Sequence, residues 1–320
     1  MSKTNLPTAL VGLDVGGTMI KGLALAPEGE ILSEETIPTG DDGTRGWLDR
    51  AKTVVRTLSS RYPGESYVGV AAPGLASRDG SCIVSLPNRL SGLENLRWQE
   101  WLELAAPVPV FNDAQAALLA EVWSGSAKGA SNVILLTLGT GVGGAAMVDG
   151  HILRGHIGRA GHLGHVSLDP EAPLDIVNTP GSLEDAIGEH NVAERSNGRF
   201  NSTRELVREF QKGSVAAAEI WLASVKALGA ALAGFINVLD PEVIVIGGGI
   251  ADADEALFGP LQSALDRFEW RPGGARARLV KAALGRNAGA IGAAYGAMLA
   301  RTGAPSAPGN LPLGSRNQNS

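Results

Sequence analysis

The sequence predicts an α/β protein of two similar lobes that hold a ligand between them. Three observations carry that expectation. Apolar strand-like runs alternate with helical stretches, one strand–turn–strand unit recurs, and glycine gathers into turns at strand ends. Glycine supplies 43 of the 320 residues, about twice the usual ~7% share. With only 17 prolines and no G-X-Y run, the excess fits neither a low-complexity chain nor a collagen.

Residues 9–13 read as a strand that ends in a glycine turn, and 20–25 as the returning strand. Glu28-Gly29 turns the chain into a third short strand at 30–34. Trp47, Val54 and Leu58 give 47–62 helical spacing, while 67–71 and 107–111 are short apolar strands. Residues 114–125 have helix-forming composition, with Leu118 and Val122 four apart. Strand patterns return at 132–138, 143–148 and 151–153. Helices dominate 183–239, a strand follows at 243–246, and 288–301 reads as a closing helix. The stretch 216–239 is apolar, but Glu219 and Lys226 mark it as a buried helix rather than a membrane span. Residues 303–320, rich in Pro, Gly, Asn and Ser, are expected to form a disordered tail.

The recurring unit is LVGLDVGGTMIKGLALAPEGEIL at 10–32 against VILLTLGTGVGGAAMVDGHIL at 133–153, with Gly16 falling on Gly139 and Gly29 on Gly150. Two lobes, each offering a glycine hairpin, suit a ligand held between them. The remaining composition narrows the partners. A formal charge of −6 without a basic run argues against nucleic acid. A lone Cys82 permits neither an internal disulfide nor a thiolate metal cluster. The first residues lack the long apolar stretch of a signal peptide, so a cytoplasmic location is expected.

Four glycine clusters stand out: Gly16-Gly17; Gly139, Gly141, Gly143 and Gly144; Gly247-Gly248-Gly249; and Gly285, Gly289 and Gly292. Turns without Cβ atoms let successive N–H groups form a phosphate-sized nest. The second cluster satisfies G-x-G-x-x-G, but the chain continues AAMVDG, a hairpin signal where a dinucleotide fold needs a helix. No Walker A sequence exists. In LDVGGTMIK, Asp14 ends a strand beside the turn, Thr18 adds a hydroxyl and Lys21 follows. A carboxylate there is placed to hold Mg²⁺, directly or through water. Asp113, in FNDA, sits where a strand runs into a helix. It reads either as a helix cap or as a general base opening onto a cleft.

Together these motifs resemble the ROK family (repressor, open reading frame, kinase), sugar kinases of the actin-like ATPase (ribonuclease H-like) fold. The resemblance spans about residues 10–300: LDVGGTMIKGLAL and TLGTGVGGAAMVDGHILRG as phosphate motifs, FNDAQAALLAE as the N-D-A-x-A-A-x-x-E segment, VIVIGGGI as the adenosine-side turn, and NAGAIGAAYGA as the closing helix. It implies Asp113 as catalytic base and Asn112 as its sugar-binding neighbour. Gly74, Asn88, His162, His165 and Glu184 would lie on the sugar side. Gly16, Gly17, Thr18, Lys21, Gly139, Thr140, Gly141, Gly143, Gly248, Gly249 and Asn287 would lie along ATP, and Asp14 would position Mg²⁺. The small lobe would comprise 8–111 with 287–302, and the large lobe 112–286.

Two departures matter. The family's Glu-x-Gly-His is here His162-Leu-Gly-His165, which exchanges an acceptor-only carboxylate for an imidazole. The family's three zinc-binding cysteines fall on Asp175, Val177 and Ser182, so no zinc is expected. Gly155, Gly158, Gly161 and Gly164 recur every third residue, a period of neither helix nor strand, and predict a wound loop over the sugar. The implied reaction is ATP-dependent, glucokinase-like phosphorylation of a hexose at its 6-hydroxyl by a homodimer. The alternatives are kinases of N-acetylhexosamines or other sugars, a sugar-binding regulator, and a kinase-like protein without useful turnover. Only about nine residues precede the first strand, too few for a regulator's helix-turn-helix domain.

Overall fold

The computed structural model describes residues 9–62 and 66–303. From residue 304 onward the expected tail lies outside the described residues. Strands β1 (Ala9–Val15), β2 (Met19–Leu25) and β3 (Ile31–Pro38) lead into helix α1 (Gly46–Ser60). Then come β4 (Ser66–Ala72), a small hairpin of β5 (Leu75–Ala76) and β6 (Ile83–Ser85), the short α2 (Trp98–Leu102), β7 (Val110–Asn112) and α3 (Asp113–Ser124). The second half repeats the plan with β8 (Val133–Leu138), β9 (Val142–Val148) and β10 (His151–Ile152). Helices α4 (Leu183–Ile187), α5 (Val192–Arg195), α6 (Thr203–Gln211) and α7 (Val215–Leu239) follow. The chain closes with β11 (Val243–Gly247), α8 (Glu255–Phe268), β12 (Arg278–Lys281) and α9 (Ala288–Thr302).

The duplicated unit lies on equivalent strands. One sheet has the order β3-β2-β1-β4-β7 and the other β10-β9-β8-β11-β12. In each, the first three strands run antiparallel and the last two join in parallel. Because helices cover both faces, the inner strands are apolar throughout rather than alternating. In β8, Ile134, Leu136 and Leu138 face a core shared with Trp221, Val225 and Leu228 of α7. Val133 and Leu135, pointing the other way, pack with Leu118, Leu119 and Tyr295. Helix α7 is long and apolar enough to cross a membrane, but here it is the large lobe's core helix.

The closing helix α9 returns to the first sheet, where Ala290, Ile291 and Ala294 cover Leu10, Leu23 and Tyr67. Backbones approach so closely that a methyl on Gly12 would collide with the Ala290 carbonyl, and one on Gly292 with the Ala116 carbonyl of α3. Gly289 and Gly292, grouped above with the phosphate turns, are therefore helical, and Gly292 permits α3 and α9 to cross.

Elements α2, β5, β6, α8 and β12 carried no expectation from sequence. In α8 the reason is plain: Gly259-Pro260 stands inside it. Proline removes an N–H and crowds the carbonyl four residues back. That carbonyl, of Ala256, instead accepts the indole N–H of the fully buried Trp221 at 2.8 Å. Leu257, Leu261 and Leu265, spaced by four, then bury one face.

Candidate active site

Asp113 begins α3 at the carboxyl end of β7. Its helix is capped by its neighbour: Asn112 Oδ1 accepts the Ala114 N–H at 2.9 Å, and Gln115 reaches back to the Asn112 N–H in a capping box. Asn112 is therefore the N-cap rather than Asp113, although Asp113 Oδ1 also accepts the Ala114 N–H, at 2.8 Å. Asn112 also donates from Nδ2 to the Gly74 carbonyl at 2.9 Å, joining the Gly74 loop to the start of α3. Gly74 sits at φ 100°, where a Cβ would press on the Ser85 carbonyl at 2.5 Å. Asp113 is open to the cleft on one side and walled by protein on the others. That burial pushes its carboxyl above the ordinary carboxylate range, against the Ala114 N–H, the His162 ring, Asn112 and Arg89, which pull it down.

The first glycine turn faces it. Gly16 closes the turn by donating to the Met19 carbonyl at 2.9 Å, and the buried Thr39 donates its hydroxyl to the Gly16 carbonyl at 2.6 Å. Thr18 is exposed on the turn. Asp14, on β1, packs against Gly289 in the first turn of α9. Its carboxyl is pushed up to about 7 by burial and by Asp113, with Lys21 opposing. No described residue donates a hydrogen bond to it, and no three metal-ligating side chains cluster among the described residues. A carboxylate so short of partners suits Mg²⁺, which takes one or two protein oxygens and completes its shell with water and phosphate. Lys21 does not point freely into the turn: its ammonium donates to Asn287 Oδ1 at 2.9 Å, so these two predicted ATP residues hold one another.

The second turn also approaches α3, with Gly143 beside Ala114. Glu184 lies beneath it, accepting the Val142 N–H at 2.9 Å, and any side chain on Gly141 would collide with it. At least one oxygen of this expected sugar ligand thus braces the phosphate hairpin. His190, absent from the sequence expectations, completes the brace. Its N–H donates to the Thr140 carbonyl at 3.0 Å, Nδ1 lies 2.8 Å from that same carbonyl, and Nε2 lies 2.9 Å from Asp185 Oδ1. Both ring partners only accept, so the ring satisfies both at once only as an imidazolium. Burial lowers its pKa, but the Thr140 carbonyl and the two carboxylates Glu184 and Asp185 raise it on balance.

Gly139 and Gly249 are open where they face a cavity of about 510 Å³, also lined by Thr203, Arg204, Arg208 and Gln211 of α6. Gly248, at φ 84°, lies tight against the Leu138 carbonyl. The i, i+4, i+7 spacing of Arg204, Arg208 and Gln211 was the available sequence signal for this wall.

On the sugar side, the glycine-every-third loop spans the lobes: Gly158 packs on the Ala76 carbonyl, and Arg154 donates to the Ser77 carbonyl at 3.2 Å. It carries His162 within electrostatic reach of Asp113. Burial, then the neighbouring His165, hold His162 below its usual pKa, with Asp113 opposing them. The Nδ1 of His165 lies 2.9 Å from Asp175 Oδ2, while Asp175 Oδ1 accepts the Val177 and Thr179 N–H groups at 2.9 and 2.8 Å. Asp175 thereby fixes the His165 ring. Asn88, at φ 63°, stands in the loop after β6.

The family model described as the ROK family matches residues 10–300. A glucokinase of Halalkalibacterium halodurans is 33% identical, the match covering 89% of this chain and 93% of that one. An N-acetylmannosamine kinase of Vibrio cholerae is 31% identical over 76% of this chain and 85% of its own. Among solved structures, a ROK hexokinase from Thermus thermophilus superposes with a TM-score of 0.82 at 32% identity, covering 92% of this chain and all of that one. A ROK glucokinase from Streptomyces griseus, solved with glucose and AMPPNP, gives a TM-score of 0.72 at 27% identity over 92% and 99% of the two chains. The two-lobed arrangement is the actin-like ATPase fold.

Proposed function

The chain belongs to the ROK family, and from that premise we propose that it transfers the γ-phosphoryl group of ATP to the 6-hydroxyl of a hexose, glucose first, with Asp113 as general base. That it is an ATP-dependent sugar kinase follows from its relatives; the hydroxyl, the base and the sugar are the proposal. The observation that carries it is the placement of Asp113 at the head of α3, between the two glycine turns and beside His162. Asn112 caps α3 and holds Gly74, and its amide takes up no proton, so Asp113 is the group that accepts the hydroxyl proton. Phosphoryl transfer passes through a loose transition state in which that proton leaves late, so a modest base suffices.

In this reading the turns of Gly16, Gly17 and Thr18 and of Gly139, Thr140, Gly141 and Gly143 seat the phosphates, with the Gly16 and Gly139 N–H groups closing the turns themselves. Gly248, Gly249 and the α6 wall take the adenosine, and the Lys21–Asn287 pair frames its far side. Asn88, Asn112, His162 and His165 orient the sugar, with Glu184 supporting the turn behind it. Mg²⁺ held by Asp14 would neutralise phosphate charge. The lobes, 8–111 with 287–302 and 112–286, close to exclude water that would otherwise take the phosphoryl group. The enzyme works in the cytoplasm as a homodimer, without zinc.

A second substrate class has its own support. His162 and His165 also line an apolar groove of about 970 Å³ with Leu75, Leu163, Val166 and Phe235. That is room for a substituent such as an acetamido group.

The test is ADP release from a panel of hexoses, hexosamines and N-acetylhexosamines. Asp113→Asn should lower kcat by at least about 10³-fold, mid-way in the range general bases supply. Turnover within a few-fold of wild type would remove Asp113 from the role, and silence across the panel would favour a sugar-binding protein without turnover. Chelation by EDTA should abolish activity and excess Mg²⁺ alone restore it; a requirement for zinc would overturn the zinc-free reading.

A further inference from the structure

A cation outside the expected set reaches the reacting region. Arg89 stands in the loop after β6, flanked by Asn88 and Leu90, both left-handed at φ 63° and 46°. Residues with side chains adopt that conformation rarely and persist in it only when their surroundings enforce it. Here they do. The Leu90 side chain is fully buried, its N–H donates to Asp41 Oδ2 at 3.1 Å, and the Leu86 N–H donates to Glu94 Oε1 at 2.6 Å. Held on both sides, the turn throws Arg89 back across the first glycine turn.

The guanidinium comes tip-first against Gly17, with Nη2 nearest. A methyl built there would collide with Nη2 and sit 3.2 Å from Cζ and 3.6 Å from Nε. No described carboxylate pairs with this arginine within salt-bridge distance, and no described acceptor takes its hydrogen bonds, although its charge is felt at Asp113. An unneutralised fork of N–H donors over a phosphate turn matches phosphoryl oxygens.

We propose that Arg89 is a catalytic residue that donates to the γ-phosphoryl oxygens of ATP seated on the Gly16-Gly17 turn. The assignment rests on the kinase reading above. As the sugar oxygen bonds to the γ-phosphorus, the bond to the β–γ bridging oxygen breaks, ADP leaves with that electron pair, and the hydroxyl proton passes to Asp113. Arg89 stays protonated throughout and balances charge on the moving group. Asn88 is its chain neighbour, so one turn presents both a sugar contact and a phosphoryl contact.

The test uses full-length protein with Arg89→Gln and Arg89→Lys, each checked for an unchanged thermal melt. Calorimetry with Mg²⁺ compares AMPPNP with ADP and needs no turnover. Arg89→Gln should lose at least about tenfold in AMPPNP affinity while ADP changes less than threefold. In the sugar assay, kcat should fall about 100-fold, in line with loss of one charge-stabilising donor, with the sugar KM within threefold. Arg89→Lys should recover part of both losses, since it keeps the charge and loses the fork. An unchanged AMPPNP-to-ADP ratio, or a raised sugar KM with intact kcat, overturns the assignment. If wild type turns over no sugar, the kinase reading fails by itself and the nucleotide comparison still decides Arg89.

Discussion

Around Asp113 the neighbours differ in sign, and the sign has consequences for rate. Burial lifts its carboxyl, while His162 and Arg89 pull it back toward ionisation. An imidazole at 162 thus places no negative charge beside Asp113. Replacing it with the family's glutamate adds a second negative charge beside Asp113, which disfavours the ionised form. His162→Glu should move the acidic limb of the kcat/KM profile to higher pH, because less base is ionised at any given acidic pH. A pH profile of the variant with its best sugar measures this, and a limb that stays in place would separate His162 from the base. Arg89 was not legible from sequence for a related reason. A lone arginine in a polar loop looks like surface until Gly17, seventy-two positions earlier in the chain, is seen to lie beneath it.

At the level of elements, the second phosphate hairpin is held from below by a short helical segment, and this makes it sensitive to pH. His190 donates from both ring nitrogens only while charged. Its pKa is raised in the fold, so its tether contributes fully below the unfolded value and is lost as pH rises through the folded one. ATP KM should accordingly increase on the alkaline side in wild type, and His190→Gln should flatten that dependence. Titrating ATP KM across neutral pH in both proteins decides it; parallel curves would free the hairpin from His190. The hairpin itself was legible because glycine turns between apolar runs are local signals, and the same holds for β1 and β2, whereas the cap of α3, expected at Asp113, falls on Asn112. Helix α8 was hidden because its compensation is remote. Gly259-Pro260 forbids a helix locally, and only Trp221 of α7 accepts the loss by donating to the freed carbonyl. The α9 glycines were misjudged for the converse reason, since nothing local distinguishes a glycine that approaches phosphate from one that approaches another helix.

For the whole molecule, Glu121 joins distant parts of the chain. Fully buried, it accepts the Ala283 and Leu284 N–H groups at 2.9 Å on one oxygen, and the Ser126 N–H at 2.7 Å and hydroxyl at 3.0 Å on the other. It thus fixes α3 to the segment that leads into α9, where the two sheets meet. Each buried donor left unpaired costs about 1–3 kcal/mol, so Glu121→Ala should lose roughly 3 kcal/mol or more, with Glu121→Gln intermediate. Urea denaturation gives the values, and a loss below about 1 kcal/mol would show that water replaces the carboxylate. Such long ties shape how the protein is made. The first sheet leaves the ribosome early, yet the helix that covers Leu10, Leu23 and Tyr67 is the last described element of the chain. At about 5–20 residues per second of synthesis, roughly ten to forty seconds separate β4 from α9. Through that interval the nascent N-terminal half carries an open apolar face, which makes the growing chain, rather than the finished enzyme, the form most in need of a chaperone.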